Sequence, residues 1–206
     1  QRTPSYIDDR GNRPTDPEWA RALRPGWQTE RMQNFHTGIN EIYDRETVDL
    51  ICDGWSELNR NIQARREAEG WPELTLEELM ALREEEDYRA MERIRSRVDT
   101  IVADPATASI LKPWYRFLCK RPCFNDDYLP TFNRRNVTLV DTMGQGVERV
   151  TETGLVVDGV EYPVDCIIFA TGFEVGTAYT RRAGFEIHGR DGRTLTDHWS
   201  GGLKTL

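Results

Sequence analysis

The chain has 206 residues, 38% of them hydrophobic and 30% charged, with a mean hydropathy of −0.66 and a net charge of −8. That composition forms a core and excludes wholesale disorder, and the length suits one ordinary domain or parts of two. An acidic chain is poorly built to bind nucleic acid or an anionic membrane through its overall field, and no apolar stretch approaches the ~20 residues of a membrane helix.

The first eight residues predict an extended piece, because Pro4 biases Thr3 away from the helical region. A polar loop follows from Asp8 to Pro14. From Asp16 to about Leu111 the chain reads as helical and polar-faced. Asp16-Pro17 supplies an N-cap followed by proline at the first helical position, and Thr75-Leu76-Glu77-Glu78 is a capping box. Tyr88, Met91, Ile94, Val98, Ile101 and Val102 recur at three- and four-residue steps and predict one apolar stripe on a charged helix. The acidic run Glu84-Glu85-Glu86-Asp87 reads as a solvated face, and Trp19, Trp27, Trp55 and Trp71 as packing residues. Asp104-Pro105 opens another short helix that Pro113 ends.

Beyond Lys112 the character changes. Val137 to Asp141 is a β-branched run expected to form a parallel strand. Val147 to Thr151, Leu155 to Val157 and Val160 to Tyr162 predict a small meander, with Asp158-Gly159 as a two-residue hairpin turn. Val164 to Ala170 has no polar alternation after Asp165, which suits a strand buried on both faces. It runs directly into Thr171-Gly172-Phe173.

The four cysteines and three histidines do not cluster at metal-ligand spacing, so no metal is expected. Reduced thiols and a cytoplasmic setting are the default, since no basic-plus-apolar leader opens the chain. Beginning at Gln1 without an initiator Met, the sequence reads as cut from something longer.

Three segments carry candidate chemistry. Arg2-Thr3 lies at a strand end, where open α/β sheets bind ligands; an arginine fork and a hydroxyl there can grip a phosphate, or be a plain surface pair. Cys119-Lys120-Arg121-Pro122 places two adjacent cations in an acidic chain; in extended backbone one can face a phosphate and the other a reaction centre, or both can be solvated. Ala170-Thr171-Gly172-Phe173-Glu174 puts small residues after an apolar strand, where a backbone can approach a ligand closely or simply turn.

Taken in order, Gln1-Arg2-Thr3-Pro4, a helical insert, Cys119-Lys120-Arg121, the Phe132-to-Thr142 strand entry and Ala170-Thr171-Gly172-Phe173 resemble the middle of a flavin-dependent Baeyer–Villiger monooxygenase. The likeness is close from Lys120 to Glu174 and at Arg2-Thr3, and one of pattern between Tyr6 and about Ala108. It implies an α/β fold: a Rossmann-like NADPH domain, with a parallel sheet and an antiparallel meander, interrupted by a helical insert. Residues 1–8 would end its first half, 9–112 would be the insert, 113–173 the second half, and 174–206 a return towards an FAD domain. The resemblance further implies that Arg2, Thr3 and Lys120 hold the 2′-phosphate of NADPH. Arg121 would lie over the flavin and stabilise its C4a-peroxide anion. Thr171 and Gly172 would sit beside the flavin where the chain leaves the NADPH domain. Glu174 stands where the family usually has Asp, and no role is carried to it.

The implied activity is insertion of one oxygen atom of O₂ into a ketone, giving an ester or lactone, with FAD and NADP as cofactors and no nucleic-acid or membrane partner. No G-x-G-x-x-G occurs in the 206 residues, so the fragment is expected to be inactive alone. Two other readings stay open: a related monooxygenase acting on nitrogen or sulfur, and a non-catalytic helical interaction module.

Overall fold

The computed structural model describes residues 4–170, 172 and 177–204. A two-residue strand β1 (Ile7–Asp8) opens it. Five helices follow: α1 (Pro17–Ala22), α2 (Trp27–Asn40), α3 (Glu57–Ala68), α4 (Leu76–Ile101) and α5 (Pro105–Leu111). The chain then returns to lay β2 (Cys123–Phe124) parallel against β1, with Ile7 opposite Cys123 and Asp8 opposite Phe124. A short α6 (Tyr128–Thr131) precedes an antiparallel meander of β3 (Arg149–Val150), β4 (Gly154–Val157) and β5 (Val160–Pro163). Two short helices, α7 (Tyr179–Ala183) and α8 (Leu195–His198), lie in the final stretch. The chain is thus α/β, with one parallel and one antiparallel sheet among the described residues.

The helix starts follow from local chemistry. The Asp16 carboxylate accepts from Glu18 N, that of Asp104 accepts from Thr107 N, and Pro17 and Pro105 occupy first-turn positions that need no N–H. Thr75 and Glu78 exchange the two hydrogen bonds of a capping box. The 26-residue α4 then runs through both hydrophobic clusters. Ala90, Met91 and Ile94 pack with Leu58, Ile62, Leu82, Tyr6 and Phe117, while Val98 meets Val102, Ala108, Leu111, Leu129 and Ile7. Tyr6 and Ile7 enter different clusters because successive side chains of an extended chain point to opposite sides.

Several expectations are corrected. Tyr88 is 65% exposed and is not part of the buried stripe; its ring lies beneath the Arg95 guanidinium instead. The acidic run is not simply solvated. Glu86 is buried between Arg65 and Arg89, and Asp87 accepts the Phe117 N–H, with burial raising its pKa. Asp8, expected to begin a loop, is a buried strand residue. Trp19 is half exposed, edge-on to Trp27.

The run from Val137 to Asp141 is irregular rather than a parallel strand: only Leu139 reaches the second cluster, and no described strand offers it a ladder. Val164 to Ala170 is likewise irregular, with Ile168 87% and Phe169 77% exposed, the opposite of a strand buried on both faces. Such a strand needs a neighbour on each edge and a layer on each face, and no described residue supplies them. The hairpin prediction fares better. Asp158 and Gly159 both have positive φ, 48° and 72°, the requirement of the turn whose twist matches its strands.

Candidate functional site

The parallel β1–β2 pair organises the site. Cys123 N donates to Tyr6 O at 3.0 Å and Asn125 N to Asp8 O at 2.9 Å, so the chain entering β2 runs alongside the chain entering β1. The sequence-predicted cations Lys120 and Arg121 stand on that entry, both exposed, immediately before the buried Pro122. The sequence candidates Arg2, Thr3 and Thr171 lie outside the described residues. Gly172 is described, with φ +79°, a backbone conformation that suits glycine, but no geometry joins it to the cations.

Two aromatic rings face the cations. The Lys120 ammonium is 5.8 Å from the ring centroid of Tyr115, and the Arg121 guanidinium 6.0 Å from that of Trp55. Both fall within the range of a cation–π contact. Tyr115 does a second thing: its hydroxyl accepts the Tyr6 N–H at 2.7 Å. One side chain therefore touches the Lys120 head and also pins the backbone of the chain entering β1.

Behind the strand pair lies an ion-pair cluster. Arg93 of α4 grips Asp8 with two hydrogen bonds of 3.1 and 2.7 Å, and Glu57 of α3 with two of 2.8 and 2.5 Å. Its Nη2 also donates to Tyr6 Oη at 3.2 Å. Burial pushes the Asp8 carboxyl up, but the hydrogen bonds and charge of Arg93 outweigh it and hold the group below its ordinary value. Burial, then the neighbouring carboxylates Glu57 and Asp8, raise the Tyr6 hydroxyl well above its usual range. The cluster ties β1 to two helices and so fixes the strand on which the site rests.

Trp55 sits on a loop held by its own polar wiring. Arg60 Nη1 donates to Asp49 Oδ2, Asp53 O and Ser56 Oγ, and Asp49 Oδ1 accepts from Ile51 N and Cys52 N. Burial pushes the Asp49 carboxyl up, but hydrogen bonds from the Ser56 hydroxyl, Arg60 and the Ile51 and Cys52 N–H groups outweigh it and hold the group low. Tyr43, which leans on Asp49, is pushed up to about 12 by burial and by that carboxylate. The ring of Phe35 meets Trp55 edge-on at 5.5 Å, and the two form part of an open aromatic groove of about 550 Å³ with Trp19, Trp27, Met32 and Ile51.

Reading the sequence missed Tyr115, Arg93 and the second contact of Trp55. Arg93 meets Asp8 across 85 positions of chain, Trp55 meets Arg121 across 66 and Tyr115 meets Tyr6 across 109, although Lys120 stands only five positions beyond Tyr115. Among the described residues no group of three His, Cys, Asp or Glu is placed to hold a metal, and no helix is long and apolar enough to cross a membrane.

The arrangement presents two adjacent cations on the bent segment that leads into a parallel strand pair, a donor set that suits phosphate or another anion. No protein-family model matches the chain. Over its whole length it is 51% identical to pentalenolactone D synthase of Streptomyces exfoliatus, spanning 35% of that protein. It is 50% identical to a Baeyer–Villiger monooxygenase of Stachybotrys chlorohalonatus, spanning 32% of it. Among solved structures, the polycyclic ketone monooxygenase of the thermophilic fungus Thermothelomyces thermophila superposes with a TM-score of 0.79 at 40% identity, over all of this chain and 34% of that one. A steroid monooxygenase bound to NADP gives 0.65 at 26% identity, over all of this chain and 39% of that one. The chain thus spans about a third of the length of the relatives it matches.

Proposed function

Since the chain belongs along its whole length to the Baeyer–Villiger monooxygenase family, we propose that it supplies the NADPH-facing cations and the active-site arginine of an FAD- and NADPH-dependent ketone monooxygenase. The observation that carries this reading is the exposed Lys120-Arg121 pair, held between the Tyr115 and Trp55 rings at the entry to a parallel strand pair.

In the whole enzyme one atom of O₂ enters the carbon–carbon bond beside a ketone carbonyl and the other leaves as water, with NADPH supplying the electrons. FAD, when bound, activates the O₂. The residues present suit both cofactors' charge. Lys120, with Arg2 and Thr3, would hold the 2′-phosphate of NADPH, the lysine as a point charge and the arginine as a fork. Arg121 would face the reaction centre and meet the negative charge that develops there with directed donors, which a guanidinium does without itself losing a proton. Thr171 and Gly172 would pass beside the flavin. On this reading residues 1–8 and 113–173 form two parts of a Rossmann-like NADPH domain, and 9–112 its helical insert, with 174–206 leading back towards an FAD domain. O₂ and a small ketone are the substrates, with no nucleic acid or membrane as partner.

The test uses the full-length enzyme, with a ketone and a thioether assayed side by side. The expected product is the ester or lactone. Arg121→Ala is expected to lower ketone oxygenation by about 10²–10³, as loss of one donor to a developing oxyanion does in comparable sites. NADPH oxidation should slow only in part. Ketone oxygenation at near wild-type rate in Arg121→Ala would remove the residue from its role and favour heteroatom oxygenation.

A further inference from the structure

The Trp55 ring belongs to a loop of the helical region, 66 positions before Arg121, yet it stands 6.0 Å from the guanidinium. Three features show that the ring is placed rather than incidental. First, the loop is held by bonds that do not involve Arg121: Asp49 and Arg60 fix its backbone from both sides, and Trp55 N donates to Asp53 Oδ1 at 2.8 Å. Second, the loop docks tightly on the strand that follows Arg121. A Cβ at Gly54 would stand 2.7 Å from Phe124 Cε1 and 3.5 Å from Tyr6 Oη, so only glycine lets the backbone come this close. Third, Phe35 meets the indole in an edge-on contact, at 5.5 Å and an interplanar angle of 74°.

We propose that Trp55 is the positioning residue of Arg121: its ring face takes the guanidinium and sets where that charge stands above β2. A guanidinium is weakly hydrated and stacks on aromatic faces. An exposed arginine has many rotamers, and a fixed ring selects among them. Fixing that choice beforehand lowers the ordering cost when Arg121 must meet developing charge. Lys120, next to Arg121 in sequence, lies over Tyr115 instead, so Trp55 should act on the oxygenation step and leave NADPH affinity alone.

This inference rests on the proposed role of Arg121, and the experiment separates the two. The full-length enzyme is prepared as wild type, Trp55→Phe, Trp55→Leu and Arg121→Ala. In the flavin-free form, with nitrogen-15 arginine, the Arg121 Nε–Hε resonance is assigned by its loss in Arg121→Ala. The expectation is an upfield ring-current shift in wild type, a smaller one in the Phe variant and none in the Leu variant. In the flavin-loaded form, the fraction of NADPH oxidised that appears as ester should fall about two- to fivefold in the Leu variant, the scale of an exposed cation–ring contact. It should stay near wild type in the Phe variant, with the KM for NADPH unchanged in both. A wild-type Arg121 shift and coupling in the Leu variant overturns the proposal, as does a Phe variant that loses both as fully as Leu. Should the Leu variant not fold, the Phe variant decides: a residual upfield shift supports the proposal and a random-coil position overturns it. An Arg121→Ala enzyme that still oxygenates the ketone, with the Trp55 contact intact in wild type, overturns the role of Arg121 alone.

Discussion

The stretch between β1 and β2 and the stretch from Val137 to Ala170 are built in contrasting ways. The first contains most of the buried apolar side chains, most of both hydrophobic clusters and most of the ion pairs. The second contains a three-stranded meander with Val156 and Val157 buried, and then an apolar run that faces solvent. Helices satisfy their backbone within themselves and need only a face to bury, so the helical block completes itself around β1 and β2. An apolar strand is different: its hydrogen-bonding edges and both faces must be met by other segments. Ile167, Ile168 and Phe169 are where that requirement is unmet by the described residues.

The sharpest way to test the contrast is to delete equivalent bulk from each region. Ile94 is fully buried on α4. Ile94→Ala should cost about 2–5 kcal/mol of stability, read by denaturant unfolding of the full-length enzyme. Ile168→Ser in the 206-residue chain should change stability by no more than ~0.5 kcal/mol, as an exposed position does. The same change in the full-length enzyme should be costly if the run is covered there. Equal, negligible effects in both would show that the run is surface in the whole protein too.

The ion-pair cluster gives the next largest effect. The carboxyl of Asp8 is held below its unfolded value by Arg93, so its contribution is fully present above the unfolded pKa near 4 and is lost as pH falls through the lower folded value. Stability should therefore fall as pH drops below about 4 in the wild type, and this part of the fall should disappear in Asp8→Asn. Thermal midpoints measured between pH 5 and 2.5 decide it; parallel profiles for the two proteins would mean that Asp8 carries no linked proton.

A smaller effect is expected where the helical block touches the site. Gly54→Ala would press a Cβ against the Phe124 ring, and overpacking of this kind costs about 1–3 kcal/mol. Gly54→Ala should therefore lower the melting temperature and, by displacing Trp55, ketone oxygenation, whereas Gly201→Ala, an open position used as control, should change neither. An unchanged melting temperature in Gly54→Ala would mean the loop yields freely and docks on β2 only loosely.

What was legible in the sequence follows the range of the interaction. The caps at Asp16, Thr75 and Asp104 and the Asp158-Gly159 turn are decided within four residues, and each forms as predicted. Met91, Ile94 and Val98 are buried as their spacing predicts, while Tyr88 fails because a phenol ring can lie along the surface beneath Arg95. The Lys120-Arg121 pair stands out in the sequence as two adjacent cations, but its long-range setting does not. Trp55 becomes its neighbour only when β2 returns to β1, and Arg93 meets Asp8 across 85 positions. For Val164 to Ala170 the pattern reports apolarity alone; whether a strand forms depends on partners that the run does not encode.

The most direct test of the central claim is the cofactor preference of full-length Lys120→Ala. If Lys120 holds the 2′-phosphate, removing it deletes one charge-assisted hydrogen bond, worth about 1.5–3 kcal/mol. The ratio of kcat/KM for NADPH to that for NADH should then fall by roughly 10- to 100-fold, through KM for NADPH, with NADH little affected. A ratio equal to that of the wild type would contradict the assignment of Lys120, and with it the reading of this strand entry as the phosphate-facing edge of the site.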